Sequence, residues 1–317
     1  MTTYLENLTL RLATGTGRVP KETRDLHAKF LLGKQNSDGG FGGREGGSDL
    51  YYTGFALRGI AILGELHGEA ASRAAEFVQS RMQGQAAIID FLSLLYSIQL
   101  LENAAGIEVL AAAPEDWPTR VAAEMERFRR DDGGYAMSDE GFSSSTYYTF
   151  LVLLCRQLIG LEPEQPRRLI DFLLSRRRED GGFVEQGPMR NSGTNPTAAA
   201  IGALTILDAV DEDVREGAID YLCLRQNEEG GLAANTRIPF ADVLSTFTGL
   251  LTLGDLNAME EIDLDAARGF LRSVQAEEGG FVAGLIDEVA DVEYTFYGIG
   301  AMALLAEEPA DEEPVDE

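Results

Sequence analysis

Histidine, cysteine and lysine are scarce in this sequence. Its 317 residues hold two histidines (His27, His67), two cysteines (Cys155, Cys223) and three lysines (Lys21, Lys29, Lys34). So few ligands make a His- and Cys-rich zinc site hard to assemble. The cysteines fall in separate apolar segments with no CxxC pairing, and they read as buried, inert thiols. No apolar run reaches the roughly 18 residues of a membrane-spanning helix. The opening MTTYLENLTLRLATGTGR lacks the basic start and apolar stretch of a secretory signal. The expectation is a cytoplasmic protein with no membrane span. Positive charge is short as well, with 26 bases against 53 acids and a net charge of −27. The segment AEEPADEEPVDE holds seven of those acids and no base, so the rest of the chain still carries −20. Such a field repels nucleic acid and anionic membranes, and neither is expected as a partner. A single folded domain over 1–306 and an acidic disordered tail over 307–317 are expected.

What the sequence has in plenty is a repeat. A Gly-Gly turn occurs in SDGGF, DDGGY, EDGGF, EEGGL and EEGGF, with second glycines Gly40, Gly134, Gly182, Gly231 and Gly280. The gaps are 94, 48, 49 and 49. The first gap is about double, which places a sixth, degenerate copy near residue 86, before the apolar run IIDFLSLLYSIQLL. Each unit reads as an amphipathic helix, the Gly-Gly turn, a variable loop and a second, more apolar helix. The turn is expected to end the first helix as a cap of positive φ. Arg129, Arg130, Arg176, Arg177, Arg178 and Arg225 precede these turns and are expected to offset the helix dipoles. A threonine opens each apolar helix: Thr149, Thr197, Thr246 and Thr295 lie 15 residues after the second glycine, and Thr53 lies 13 after it. A nearly all-apolar helix is a buried helix. Six helix pairs predict an all-α, single-domain (α/α)6 toroid, with an open α-solenoid as the alternative. The turns follow helices and lack a Walker lysine, so they are not phosphate loops.

The repeat, in KQNSDGGFGG, RQNEEGGLAA and VQAEEGGFVA, resembles that of the prenyltransferase and squalene–terpene cyclase superfamily over roughly residues 20–305. It is most similar to the β subunits of protein prenyltransferases. The resemblance implies a toroid whose apolar central cavity holds an isoprenoid chain, and a helical-repeat protein as a possible partner. The family's zinc is held by Asp-x-Cys in the fifth repeat and His in the sixth. Here PFADVLSTF supplies Asp242, with Leu244 in place of the cysteine. The segment DVEYTFYGI matches at Asp291, Thr295, Tyr297 and Gly298, with Tyr294 in place of the histidine. Leucine and neutral tyrosine are no substitutes for thiolate and imidazole. No metal or other cofactor is therefore expected. The family's diphosphate-binding bases are also missing: Gly193 stands about where a histidine would, and FVAGLIDEVADVEYT carries Asp287, Glu288, Asp291 and Glu293 but no base. Arg190 and Arg237 remain as a thin clamp. The D-x-D-D motif of class II terpene cyclases is absent.

Asp49, Asp242 and Asp291 each stand four residues before a repeat threonine, where Ser145 stands in the third unit. Shared use of Asp and Ser fits helix N-capping. A ring of acids at a cavity mouth is the functional alternative. On that alternative Asp242, Asp291 and Tyr294 are the catalytic candidates. Tyr51, Tyr52, Tyr147, Tyr148, Phe247 and Tyr297 cluster at the same helix starts and are candidate ligand-binding residues, since aromatic walls suit isoprenoids and carbocations. His27, in the first outer helix, reads as structural. Two functions stay open: a zinc-independent toroid binding an apolar, isoprenoid-like small molecule, or a non-catalytic scaffold for a protein partner.

Overall fold

The computed structural model describes residues 2–82 and 87–306. The degenerate turn expected near residue 86 and the expected tail both lie outside them. Thirteen helices are described. The first, α1 (Tyr4–Thr16), stands apart from the repeat. Six are amphipathic: α2 (Lys21–Gly33), α4 (Gly68–Ser80), α6 (Trp117–Glu126), α8 (Pro166–Ser175), α10 (Glu212–Cys223) and α12 (Leu264–Ser273). Six are largely apolar and alternate with them: α3 (Leu50–Ile62), α5 (Ile88–Ala105), α7 (Thr146–Leu158), α9 (Thr194–Ile206), α11 (Val243–Asp255) and α13 (Val292–Leu304).

The apolar helices form an inner ring. Each packs on the next, and α13 packs back on α3, so the ring is closed. This is the predicted (α/α)6 toroid rather than an open solenoid. The helix α5 is long and apolar enough to cross a bilayer by length and composition, but it packs in the ring between α3 and α7 and is mostly buried. Among the described residues no β-strand forms, only isolated bridges beside the turns.

The Gly-Gly turns do not cap the outer helices as expected. Those helices end at residues such as Lys34 and Arg176 in ordinary right-handed geometry. The turn comes several residues later as a small hairpin, with Gly39 N–H donating to the carbonyl of Asn36 at 3.0 Å and Gln35 bridging Phe41. The two glycines do different work. The first has positive φ, for example +83° at Gly181, and lies against the next outer helix, where a Cβ would meet the Gly217 carbonyl oxygen at 2.2 Å. At the second glycine, an added Cβ would strike an aromatic ring on that same helix: Phe77 at Gly40, Phe172 at Gly134, Tyr221 at Gly182 and Phe270 at Gly231. Gly280 meets Phe30 of α2, so the last unit grips the first in the same way. His27 of α2 completes that seam. Its Nδ1 accepts the Gly280 N–H at 3.0 Å and its ring stacks on Phe281 at 4.9 Å.

The repeat threonine joins turn to inner helix. Its Oγ1 accepts the N–H of the residue after the glycine pair, at 2.9–3.1 Å in all five units. In three units it also donates to the carbonyl of the residue before the helix, at 2.7 Å. The arginines before the turns reach helix C-terminal carbonyls in part, Arg178 at Ser175 and Arg225 at Tyr221, and they also pin loops. Arg130 donates to the carbonyls of Ser138, Asp139 and Gly141, and Arg178 to those of Gly187 and Met189.

Candidate functional site

The inner helices start at one end of the toroid, and side-chain caps fix four of those starts. Asp49, Ser145, Asp242 and Asp291 accept from the backbone N–H of Tyr52, Tyr148, Ser245 and Tyr294 respectively. The other end is covered by α1. Tyr4 OH donates to Asp255 at 2.7 Å and Arg11 pairs with the same carboxylate at 2.8 Å. Tyr4 N–H reaches Gln157, Glu6 accepts from Gln99, and Thr16 Oγ1 reaches the carbonyl of Ile62. These partners all belong to the far ends of inner helices. Gly15 lies so close to α13 that a Cβ there would sit 2.2 Å from the Ala303 carbonyl oxygen.

Between the helix starts and α1 lies a cavity of about 610 Å³. Its walls follow helical periodicity. Tyr51, Phe55, Arg58 and Ile62 form one stripe on α3, and Glu293, Phe296 and Tyr297 form another on α13. Tyr147, Leu151 and Leu154 of α7 and Leu244, Phe247 and Leu251 of α11 add two more. Leu5, Leu8 and Leu12 of α1 make the floor. The rings of Phe55, Phe247, Phe296 and Tyr297 touch edge-on or tilted, with centroids 5.1–5.7 Å apart. The described loops before α7, α9, α11 and α13 expose Phe142, Met189, Phe240 and Ile286 on the same side as the helix starts.

Five of the six candidate ligand-binding residues line this cavity: Tyr51, Tyr147, Tyr148, Phe247 and Tyr297. Tyr52 does not. One residue along from Tyr51, it turns away, and its ring packs over Gly43. The three catalytic candidates, Asp242, Asp291 and Tyr294, also lie off the cavity wall and are committed elsewhere. Both carboxylate oxygens of Asp242 accept from Ser245, one from its N–H and one from its hydroxyl, each at 2.7 Å. Burial raises its pKa. Asp291 accepts from Tyr294 N–H and from Arg44 Nε at 2.9 and 2.8 Å. Arg44 also grips Asp287; burial would raise that carboxyl, but the guanidinium holds it down to about 2. Arg44 further lies over the Tyr294 ring at 5.8 Å. Burial, then the acids Glu293, Asp242 and Asp291, push the Tyr294 phenol up to about 12, so it stays neutral.

This donor set does not fit the zinc ion that the resemblance implies. Leu244 points into the cavity wall, Tyr294 is a neutral phenol, and a guanidinium already answers Asp291. Among the described residues no group of three His, Cys, Asp or Glu could hold a metal ion.

Three charged residues of the cavity were not candidates at the outset. Glu293 lines it and accepts from Tyr51 OH at 2.6 Å, and burial raises its pKa. Glu185 accepts from the hydroxyl of Ser145, and burial raises its pKa too. Arg58 is the only base in the lining among the described residues. Each was visible as a charge in or next to an apolar segment, but which face it takes is set by one residue of register. His27 is structural, as expected; burial lowers its pKa to about 4. Cys155 is buried and its thiol pKa is raised by burial, while Cys223 is half-buried.

A family model described as the prenyltransferase alpha-alpha toroid domain matches residues 19–99 and 132–316. No curated protein matches the sequence. Solved structures share the fold at low identity. A *Candida albicans* protein geranylgeranyltransferase-I complexed with GGPP is 16% identical with a TM-score of 0.71, over 89% of this chain and 90% of that one. A type II terpene cyclase from *Scytonema*, in complex with geranylgeranyl dihydroxybenzoate, is 16% identical with a TM-score of 0.63, over 94% and 99%. An alpha-1,6-mannanase from *Salegentibacter* is 12% identical with a TM-score of 0.62, over 90% and 98%. At such identity the likeness is one of fold, and one fold here carries three chemistries.

Proposed function

The chain belongs to the prenyltransferase alpha-alpha toroid family, and from that premise we propose that it binds an apolar, isoprenoid-class ligand in its axial cavity without zinc. The observation that carries this reading is the 610 Å³ cavity walled by aromatic and aliphatic side chains. Its volume lies within the roughly 300–1,000 Å³ of small-molecule sites. A scaffold for a protein partner needs no such void and would gain stability by filling it. A sugar would need many more hydrogen-bonding groups than this wall offers. The isoprenoid class is supported by the ligands of two structural neighbours, GGPP and geranylgeranyl dihydroxybenzoate. The zinc-free reading rests on Leu244 and Tyr294 and on the engagement of Asp242 and Asp291.

A second reading adds proton chemistry and places it on Glu293 rather than on Asp242, Asp291 or Tyr294. Glu293 is the acid that lines the cavity beside Phe296 and Tyr297. Its protonated carboxyl would add H⁺ to a carbon–carbon double bond, leaving a carbocation among the rings and a carboxylate held by Tyr51. Proton loss from a neighbouring carbon to that carboxylate would restore both.

Mass spectrometry of lipids co-purifying with the protein, followed by titration with farnesol before and after treatment with a chelator, tests the binding reading. Bound polyprenoids and unchanged affinity after chelation are expected. No binding of any polyprenoid, or its loss on chelation, counts against it.

A further inference from the structure

The side chain of Arg58 makes no hydrogen bond or salt bridge to a described residue. It projects from the third turn of α3 into the cavity, and its Nε is buried with no hydrogen-bond acceptor. Three rings surround the guanidinium, Tyr96 at 4.8 Å, Phe55 at 5.0 Å and Phe296 at 5.9 Å. Aromatic faces attract a cation but accept none of its five N–H groups in the plane of the fork. Other arginines near the ring are answered: Arg156 of α7 by Glu126 and Glu164, Arg11 of α1 by Asp255, and Arg44 of the loop before α3 by Asp287 and Asp291. Neither carboxylate of the cavity wall hydrogen-bonds or forms a salt bridge with Arg58, although burial raises the Glu293 pKa and the Arg58 charge opposes that rise from a distance. Glu293 is taken by Tyr51, and Glu185 by Ser145 and the N–H of Tyr147. A guanidinium drawn partly out of water with no hydrogen-bonded anion is costly, and in such places a protein charge is paired or meets a ligand.

Arg58 is also deep. Eight residues separate it from the first residue of α3, roughly 12 Å along the axis. Tyr96, on which it stacks, bonds to Thr9 of the floor. The acids Glu185 and Glu293 belong to the opposite, upper part of the wall. A multiply charged head would leave surplus negative charge in a lumen that already holds those two acids, whereas one carboxylate matches one guanidinium and fits its planar fork.

We infer that Arg58 binds the carboxylate of an isoprenoid-class acid, whose head rests near the α1 floor while its apolar chain rises along the aromatic stripe toward the helix starts. This rests on the ligand reading above and gives it a polarity.

Isothermal titration of the full chain with farnesol, farnesoic acid and farnesyl diphosphate tests it, with wild type, Arg58→Met and Arg58→Lys. Wild type is expected to take farnesoic acid at least tenfold tighter than farnesol or the diphosphate. Arg58→Met is expected to lose that preference, with farnesoic acid weakened at least tenfold more than farnesol, and Arg58→Lys to keep part of it. Because Met removes an unanswered charge, the ligand-free Arg58→Met protein is expected to melt higher than wild type. Equal affinities for acid and alcohol in wild type, a diphosphate bound best, or equal loss of both ligands in Arg58→Met would overturn the assignment while leaving the ligand reading standing. A lower melting temperature for Arg58→Met would make Arg58 a structural group instead. Failure of all three probes to bind would remove both readings together.

Discussion

Thr149 has a hydroxyl with two obligations. It accepts the N–H of Tyr135 and donates to the carbonyl of Ser145, both buried. Thr149→Val keeps the shape and removes both bonds, leaving a buried N–H unpaired. The expected cost is about 1–3 kcal/mol, read from urea unfolding; a loss well under that would mean water or the backbone replaces the hydroxyl. The spacing of this threonine from the glycine pair was plain in the sequence, and so was its recurrence. Its purpose was not, because the N–H it serves lies 14 residues back. The same limit applied at the cavity. A residue's place on a helix advances about 100° per position, so Tyr294 and Glu293 face different ways although the motif makes Tyr294 the more conspicuous. Arg58 is the single charge in LYYTGFALRGIAI, but whether a charge has a partner depends on residues far away in the chain.

At the scale of the element, the seam between the last unit and α2 is where the ring closes, and His27 sits in it. Its pKa of about 4 lies below the ordinary histidine value because burial disfavours the charged form. The neutral ring accepts the Gly280 N–H at Nδ1; a proton there would face that N–H instead. Below about pH 6.5 the unfolded chain binds this proton while the folded chain does not. The histidine's contribution is therefore complete above about pH 6.5 and falls as the pH drops toward 4, by about 3 kcal/mol in total. His27→Gln offers an acceptor that does not titrate. The gap between wild type and His27→Gln in unfolding midpoint is expected to narrow from pH 7 to pH 4.5; a gap independent of pH would rule out this role. Repeat, helix pairing and closed ring were all legible because each unit restates them. The hairpin form of the turn was not, since a positive-φ glycine serves a helix cap and a tight hairpin equally well.

For the whole molecule, α1 decides that the cavity has a floor. It lies outside the repeat, so periodicity gave no hint of its place. Its burial of Leu5 and Leu12 is worth roughly 1.5–3 kcal/mol for each side chain, and the close approach of Gly15 to Ala303 requires the absence of a side chain. Gly15→Val is expected to lift α1 from α13 while the ring keeps its helical circular dichroism. Limited proteolysis would then cut within residues 2–20 in the variant and spare them in wild type; equal protection in both would show that the floor does not depend on this contact. The placement of α1 also has a consequence in time. During synthesis α1 emerges first, yet part of its bed, on α13 and α11, is made from helices near the other end of the sequence. Neighbouring repeats can stack as they appear, and α1 can meet α3, α5 and α7 early, but its contacts with α11 and α13 wait until those helices are made. The floor is therefore complete only once α13 is in place, and a ligand present before then is enclosed as α1 completes its contacts.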